Sequence, residues 1–271
     1  MIENDKSKRI IGLMDSGLGG LSVFKEVREQ LPQENVIYFG DTAHAPYGEK
    51  TDNQIRDFVS TIIDFLIQKE VKLIIIACNT ATAVALGAVQ DKYPVPIIGV
   101  IQPGAYEAVK QTKNNRIGII GTEVTIRNQS YEKLIKKIDS SILTFSNSCT
   151  NQIIREMEEM ALRNEDAIKN LLKECVKPIM NNGIDTIVLG CTHYPFLKKY
   201  IKEVIGLEIC LVNPAKATVK QAKKLLEEQK LINARKNKTN SFFISGNPYL
   251  FAKIASKLLG YNPGNFHKII L

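Results

Sequence analysis

The chain reads as an α/β protein built from two similar, pseudo-symmetric units with parallel-rich sheets. Three observations predict this. Short β-branched apolar runs alternate with helix-like segments along most of the sequence. The opening IGLMDS (Ile11 to Ser16) returns as IGIIGT (Ile117 to Thr122), an offset of 106 residues. VKLIIIACNTATA, with Cys78, and GIDTIVLGCTHYP, with Cys191, share a second plan at an offset of 113. In each, an apolar run ends in a cysteine, followed by small hydroxyl or amide side chains and then a helix-like segment. Buried parallel strands have this character, and ligands of open α/β sheets bind just beyond their carboxyl ends.

The elements follow in order. Arg9 to Met14 reads as strand, Leu21 to Leu31 as helix, Asn35 to Phe39 as strand and Asn53 to Glu70 as an amphipathic helix. Leu73 to Ala77 is a strand, followed by a helix to about Tyr93, a strand at Ile97 to Val100 and a helix at Ala105 to Lys113. The second unit repeats the scheme: strand Arg116 to Ile120, helix Gln129 to Ile138, strand Ser141 to Phe145, a helical stretch with interruptions over Gln152 to Asn181, and strand Thr186 to Leu189. Helix Leu197 to Ile205 and strand Glu208 to Val212 close it. The tail holds a helix (Ala217 to Leu231), a short strand (Phe242 to Ile244) and a last helix (Ala252 to Leu259), too little for a third domain. It is expected to return to the first unit. The division is therefore 1–99 plus 213–271 against 100–212.

With 271 residues and 44% apolar content, the chain can bury a sizeable core. Its formal charge is +8. The densest basic stretch runs from Lys216 to Lys238 and includes Lys220, Lys223, Lys224, Lys230, Arg235 and Lys236. It reads as a solvated helix face and loop rather than a nucleic-acid footprint, which would interleave aromatics. A positive field would also attract a dianionic substrate. The N-terminus, MIENDKSKR, lacks the apolar region of a secretory signal, and no apolar run reaches the length of a membrane span. The five cysteines, at 78, 149, 175, 191 and 210, are odd in number and lack CxxC spacing. That argues against a disulfide framework or zinc ribbon, and free thiols in a reducing cytoplasm are expected.

Chemistry concentrates at the strand ends. Asp15-Ser16-Gly17-Leu18-Gly19-Gly20 follows a strand and opens a helix, where glycines admit a close ligand and free N–H groups favour an anion. The spacing is not that of the dinucleotide fingerprint or the P-loop, so a small carboxylate fits better than a pyrophosphate. The loop Gly40 to Gly48, with Pro46, Tyr47 and Gly48, offers backbone N–H groups and a tyrosine wall. Cys78-Asn79-Thr80 and Cys191-Thr192-His193 carry the sharpest reading. Two thiols facing one carbon point to proton transfer on its opposite sides, and a helix N-terminus is expected to lower a thiol's pKa toward working pH. His193 is placed to assist Cys191, and Asp15 to assist Cys78. Thr122 and Thr125 take, in the second unit, the place of Asp15 and Ser16. Cys149, Cys175 and Cys210 read as structural, and His267 as a surface residue.

Taken together, IGLMDSGLGGLSV, VIYFGDTAHAPYG, IIACNTATA, GVIQPGA, RIGIIGTEVTIRNQSYEK and VLGCTHYP resemble the glutamate racemases, a family of the cofactor-independent aspartate/glutamate racemase superfamily. The matches occur in family order over most of residues 10 to 200. CTH, where aspartate-type relatives have CTE, points to glutamate. The resemblance implies two α/β domains with the site in the cleft between them, and interconversion of L- and D-glutamate without cofactor or metal. It implies a cytoplasmic homodimer that supplies D-glutamate for peptidoglycan, hence for cell-wall biogenesis and cell shape. It assigns acid/base chemistry to Cys78 and Cys191, assistance to Asp15 and His193, and substrate binding to Asp15, Ser16, Tyr47, Gly48, Asn79, Thr80, Thr122, Thr125, Thr192 and His193. The sequence departs from the family where His44 replaces a frequent arginine. In NQIIREMEEM it leaves open whether Glu156, Glu158 or neither matches a family glutamate. A racemase for aspartate or a hydantoin, a catalytically silent amino-acid-binding protein and a protein that docks partners through its basic surface stand as alternatives.

Overall fold

The computed structural model describes residues 7, 9–160, 165–234 and 239–270. Arg235 and Lys236 of the basic stretch, and the part of the Gln152 to Asn181 segment at 161–164, lie outside the described residues. Two parallel sheets organise the chain. The first contains β1 (Ile11–Asp15), β2 (Val36–Gly40), β3 (Leu73–Ile76), β4 (Ile97–Gly99), β9 (Asn240–Ile244) and β10 (Asn265–Lys268), in the order β10-β9-β2-β1-β3-β4. The second contains β5 (Arg116–Gly121), β6 (Leu143–Ser148), β7 (Thr186–Gly190) and β8 (Cys210–Val212), in the order β6-β5-β7-β8. The strand pairings are parallel in both.

The repeat seen in the sequence is a repeat of topology. In the first sheet the chain leaves β1 for β2 on one side, then crosses to β3 on the other. In the second it leaves β5 for β6 and crosses to β7. The direction reverses at β1/β3 and at β5/β7, and such points open a crevice beyond the carboxyl ends of the strands. Asp15 therefore corresponds to Gly121-Thr122, and the Cys78 strand to the Cys191 strand. Register supports this: Ile11 pairs with both Val36 and Leu73, and Ile117 with Thr186.

The strands form where the sequence places buried apolar runs. All of β1, β2, β3 and β7 is buried, and each fully buried Ile or Leu side chain contributes roughly 1.5–3 kcal/mol. Helices cover both faces of the first sheet. α1 (Leu21–Gln30) and α10 (Pro214–Glu228) pack with Leu13 and Ile75; α2 (Asp52–Gln68) and α3 (Asn79–Val89) pack with Met14, Ile74 and Ile76. Thr51 starts α2 with a reciprocal cap: its hydroxyl accepts the Gln54 N–H at 3.3 Å, and its own N–H donates to Gln54 Oε1 at 3.0 Å. In the second unit α4 (Ile101–Gln111) and α6 (Ser130–Ile138) share a core with Ile117, Ile119 and Val188. α7 (Gln152–Met160), α8 (Glu165–Met180) and α9 (Lys198–Ile205) also belong to this unit, and α11 (Pro248–Leu259) belongs to the tail.

The tail returns to the first sheet, with β9 parallel to β2. Lys72 helps hold it. Its buried ammonium pairs with Glu34 at 2.6 Å and donates to the Leu231 carbonyl at 2.7 Å.

Four expectations need correction. The tail holds a further strand, β10, which pairs with β9; its NFHK sequence is mostly exposed at the sheet edge and carries little apolar signal. The helix expected over Gln129 to Ile138 starts at Ser130, because Gln129 sits at φ 52°, and a separate short helix α5 (Glu123–Arg127) precedes it. The sixth strand lies at Leu143–Ser148 rather than Ser141 to Phe145, since an edge strand of polar Ser, Asn and Thr has no apolar pattern to mark its end. Finally, Cys149 and Cys175 form a disulfide rather than two thiols, with Cα atoms 5.0 Å apart. The end of β6 and the middle of α8 run side by side and bring together residues 26 apart in sequence. Cys78, Cys191 and Cys210 are free.

Candidate active site

One cavity of about 330 Å³ opens between the carboxyl ends of the two sheets. Cys78 and Cys191 both line it, as do Ser16, Tyr47, Gly48, Asn79, Thr80, Thr122, Thr192 and His193. Asp15 and Thr125 stand behind this wall and reach it through bonded neighbours.

The first wall begins at the end of β1. Asp15 is fully buried, and its Oδ2 accepts the Gly17 N–H at 3.0 Å. Tyr38 holds the same turn by donating to the Gly17 carbonyl at 2.6 Å. Burial raises the Asp15 carboxyl above its ordinary range, opposed by the charge of His193 and by hydrogen bonds from Gly17, Gly20 and Thr192. Ser16 Oγ lies 3.6 Å from the Cys78 sulfur. Cys78 caps α3, and its Sγ accepts the Ala81 N–H at 3.4 Å.

The helix start pulls this thiol down, as the sequence predicts, but not far enough to bring it below its ordinary value. Burial pushes Cys78 up to about 12, and the Asp15 carboxylate adds to the rise. The bonds from Ala81 and Ser16 act the other way without cancelling it. In a site this dry, desolvation of a thiolate outweighs one backbone donor. Asp15 accordingly works against ionisation of Cys78, and its side-chain partner lies across the cleft: Thr192 Oγ1 donates to Asp15 Oδ1 at 3.3 Å.

The second wall begins at the end of β7. Cys191 Sγ is 3.6 Å from His193 Nδ1, and His193 Nε2 is 3.2 Å from Glu158 Oε1. Burial pulls the imidazolium down, but the bonds to Cys191 and Glu158, and their charges, prevail and carry His193 up to about 10. The ring is therefore a cation at neutral pH, wedged between a sulfur and a carboxylate. Gly19 permits this approach from the opposite wall. A Cβ there would lie 2.2 Å from Thr192 Oγ1 and 2.6 Å from His193 Nδ1.

Three hydroxyls join the walls. Thr80 Oγ1 lies 2.9 Å from Thr122 Oγ1 and 3.3 Å from Thr125 Oγ1, and the last two are 3.0 Å apart. Thr122 also caps α5. Tyr47 is buried, and its hydroxyl donates to Asp41 Oδ2 at 2.6 Å. Asp41 is anchored in turn by Ser245 and His44, and the His44 ring stacks on Phe58. His267 is exposed on β10.

Sequence reasoning left Glu156 and Glu158 undecided. Geometry separates them: Glu158 lines the cavity and bonds His193, whereas Glu156 pairs with Gln152 on the surface. Asn151 and Arg155, which line the cavity and both donate to Glu49, were missed, and so was the wall supplied by Asn247 to Ile254. One signal was present. Asn151, Arg155 and Glu158 recur at i, i+4 and i+7, a polar stripe on one helical face beside buried Ile153 and Met157.

Two doubly wound parallel sheets thus set a thiol from each against one shared cavity. The Asp/Glu/Hydantoin racemase family model matches residues 11–222, and the chain belongs to that family. It is 41% identical to a glutamate racemase of Enterococcus faecalis over 256 residues, covering 94% of this chain and 93% of that one. A crystal structure of a glutamate racemase from Bacillus anthracis superposes with a TM-score of 0.92 at 36% identity, covering 97% of this chain and 98% of that one. The glutamate racemase of Francisella tularensis subsp. tularensis SCHU S4, solved in complex with D-glutamate, gives 0.90 at 34% identity with the same coverage. Among the described residues no helix is long and apolar enough to cross a membrane.

Proposed function

We propose that this protein interconverts L- and D-glutamate by removing the α-proton with one sulfur and delivering a proton to the opposite face from the other. One observation carries the reading: Cys78 and Cys191, from equivalent strands of two sheets, line the same cavity. The relatives covering nearly its whole length are named glutamate racemases, which favours glutamate over aspartate or a hydantoin.

In the forward step one thiolate takes the α-proton and becomes a thiol. The electron pair stays on the α-carbon and its carboxylate. The opposite thiol then delivers its proton to the other face, leaving a thiolate there. Burial and the Asp15 carboxylate favour the thiol form of Cys78; the reverse reaction starts from the swapped state, and titration belongs to the pair. Cationic His193 offers its Nδ1–H to Cys191, and Glu158 keeps that ring charged and oriented. The hydroxyls of Ser16, Thr80 and Thr122, the Asn79 amide and the backbone at Tyr47-Gly48 supply donors for carboxylates and for charge developing on the substrate. Such donors count for most where water is excluded. Asp15, Thr125 and Thr192 hold these groups in place from behind or beside.

The division of the chain into 1–99 with 213–271 and 100–212 is part of this reading, supported by the membership of the two sheets. From the family resemblance we also infer a cytoplasmic homodimer that feeds D-glutamate to peptidoglycan.

Proton NMR in D₂O tests the reaction. The α-proton signal of L-glutamate and of D-glutamate should vanish with enzyme, with optical rotation decaying to zero from either side. Glutamate that binds without exchange would leave a silent binding protein, and faster exchange of aspartate or a hydantoin would reassign the substrate.

A further inference from the structure

We infer that Tyr131 is a positioning residue that sets which end of the Asn79 side-chain amide faces the cavity; this rests on the reading of Asn79 as a substrate-binding group. Tyr131 lies on α6 in the second unit, and Asn79 is the first residue of α3 in the first. The tyrosine is 1% exposed and packs among Ile101, Ala105, Ile119 and Val188. In that surrounding its hydroxyl needs a partner, and the partner is Asn79: Tyr131 Oη donates to Asn79 Oδ1 at 2.7 Å. Burial raises the phenol well above its ordinary pKa, so it stays a donor at any working pH.

An asparagine amide has one acceptor end and one donor end, and its two orientations fill the same space. The phenol could also accept from the amide nitrogen, but its own proton would then be buried with no acceptor among its hydrogen-bond partners, so donation to Oδ1 selects one orientation. Asn79 lines the cavity beside Cys78 and is itself 3% exposed. With Oδ1 committed to Tyr131, Nδ2 is the end left over, and among the described residues the hydrogen bonds give it no partner. Two N–H groups therefore remain for a carboxylate in the cavity. Turned the other way, the same side chain would set a carbonyl dipole against that anion. Tyr131 acts across the cleft, so the amide is oriented only while the two units are together.

The test uses the full chain in four forms: wild type, Tyr131→Phe, Asn79→Ala and the double variant. KM and kcat are measured in both directions, and the glutamate Kd by calorimetry. Loss of the neutral phenol–amide bond that orients the donor predicts that Tyr131→Phe raises Kd and KM about 5- to 10-fold for both enantiomers. kcat should change far less, as expected when binding common to ground and transition states is lost. In the Asn79→Ala background the added Tyr131→Phe change should alter Kd by less than about threefold, the signature of one shared interaction. A Tyr131→Phe protein with a lower melting temperature but wild-type Kd and KM would overturn the inference, and so would fully additive effects. If wild type binds glutamate and Tyr131→Phe binds it equally, this inference alone fails. If wild type binds no glutamate, the substrate reading fails and takes this inference with it.

Discussion

Cys78 and Cys191 end corresponding strands of two sheets with the same winding, yet their sulfurs sit in opposite electrostatic surroundings. Cys78 meets a serine hydroxyl and one backbone N–H, with the Asp15 carboxylate near enough to penalise a second negative charge. Cys191 meets a histidine held cationic by a carboxylate behind it. The duplicated backbone supplies two-fold geometry around one carbon. The unduplicated side chains break its symmetry, so that the two sulfurs need not compete for the same proton. Proton removal at one face and delivery at the other needs both sulfurs within reach, one as thiolate and one as thiol.

The largest effect follows from removing either sulfur. Cys78→Ser and Cys191→Ser should each lower steady-state racemisation about 10³-fold or more, because a serine hydroxyl ionises far less readily than a thiol. Each variant should still wash α-deuterium into one enantiomer, and the two variants should favour opposite ones. Exchange biased toward the same enantiomer in both would mean that the sulfurs do not attack from opposite faces.

A smaller and lopsided loss is expected for His193→Asn, roughly 10²-fold, because only the Cys191 side loses its cation. Wild-type kcat/KM should fall as pH rises through about 10, where His193 gives up its proton, and this alkaline limb should be absent from the variant. Stability follows the same sign. The folded pKa lies above the unfolded value of 6.5, so the histidine's contribution is full below pH 6.5 and is lost as pH climbs through about 10. The melting-temperature gap between wild type and His193→Asn should narrow over that window.

Ser16→Ala should have the mildest effect, under about tenfold in kcat/KM, since a neutral hydroxyl bond of this kind contributes roughly 0.5–1.5 kcal/mol. It removes one of the groups that favour the Cys78 thiolate, so alkylation of Cys78 should shift to higher pH while that of Cys191 does not move. Equal shifts at both sulfurs would erase the contrast between the two sites.

Much of this was legible in the residues. Buried parallel strands announce themselves as Leu-Ile-Ile-Ile or Thr-Ile-Val-Leu, and the cysteine after each run marked the crevice before any coordinates did. What stayed hidden depends on the packing of elements distant in sequence. Glu158 reaches His193 only because α7 lies across the end of β7, a tertiary fact with no local spacing to report it. Tyr131 meets Asn79 over 52 residues, and the Cys149–Cys175 bond joins an edge strand whose limits the polar sequence blurred. The rise in the Cys78 pKa was misread for a related reason. A helix start is visible in sequence, whereas the depth of burial that overrules it is not.

Glu49 of the first unit receives hydrogen bonds from Asn151 and Arg155 of the second, at 3.1 and 3.0 Å. The Arg155 and Glu49 side chains are 65% and 46% exposed, and such a pair is worth at most about 1 kcal/mol in water. Ordinary thermal agitation undoes this contact, whereas the Thr80, Thr122 and Thr125 hydroxyls join the same two units by buried bonds. The two units are thus tied loosely at the solvent and firmly beside the thiols.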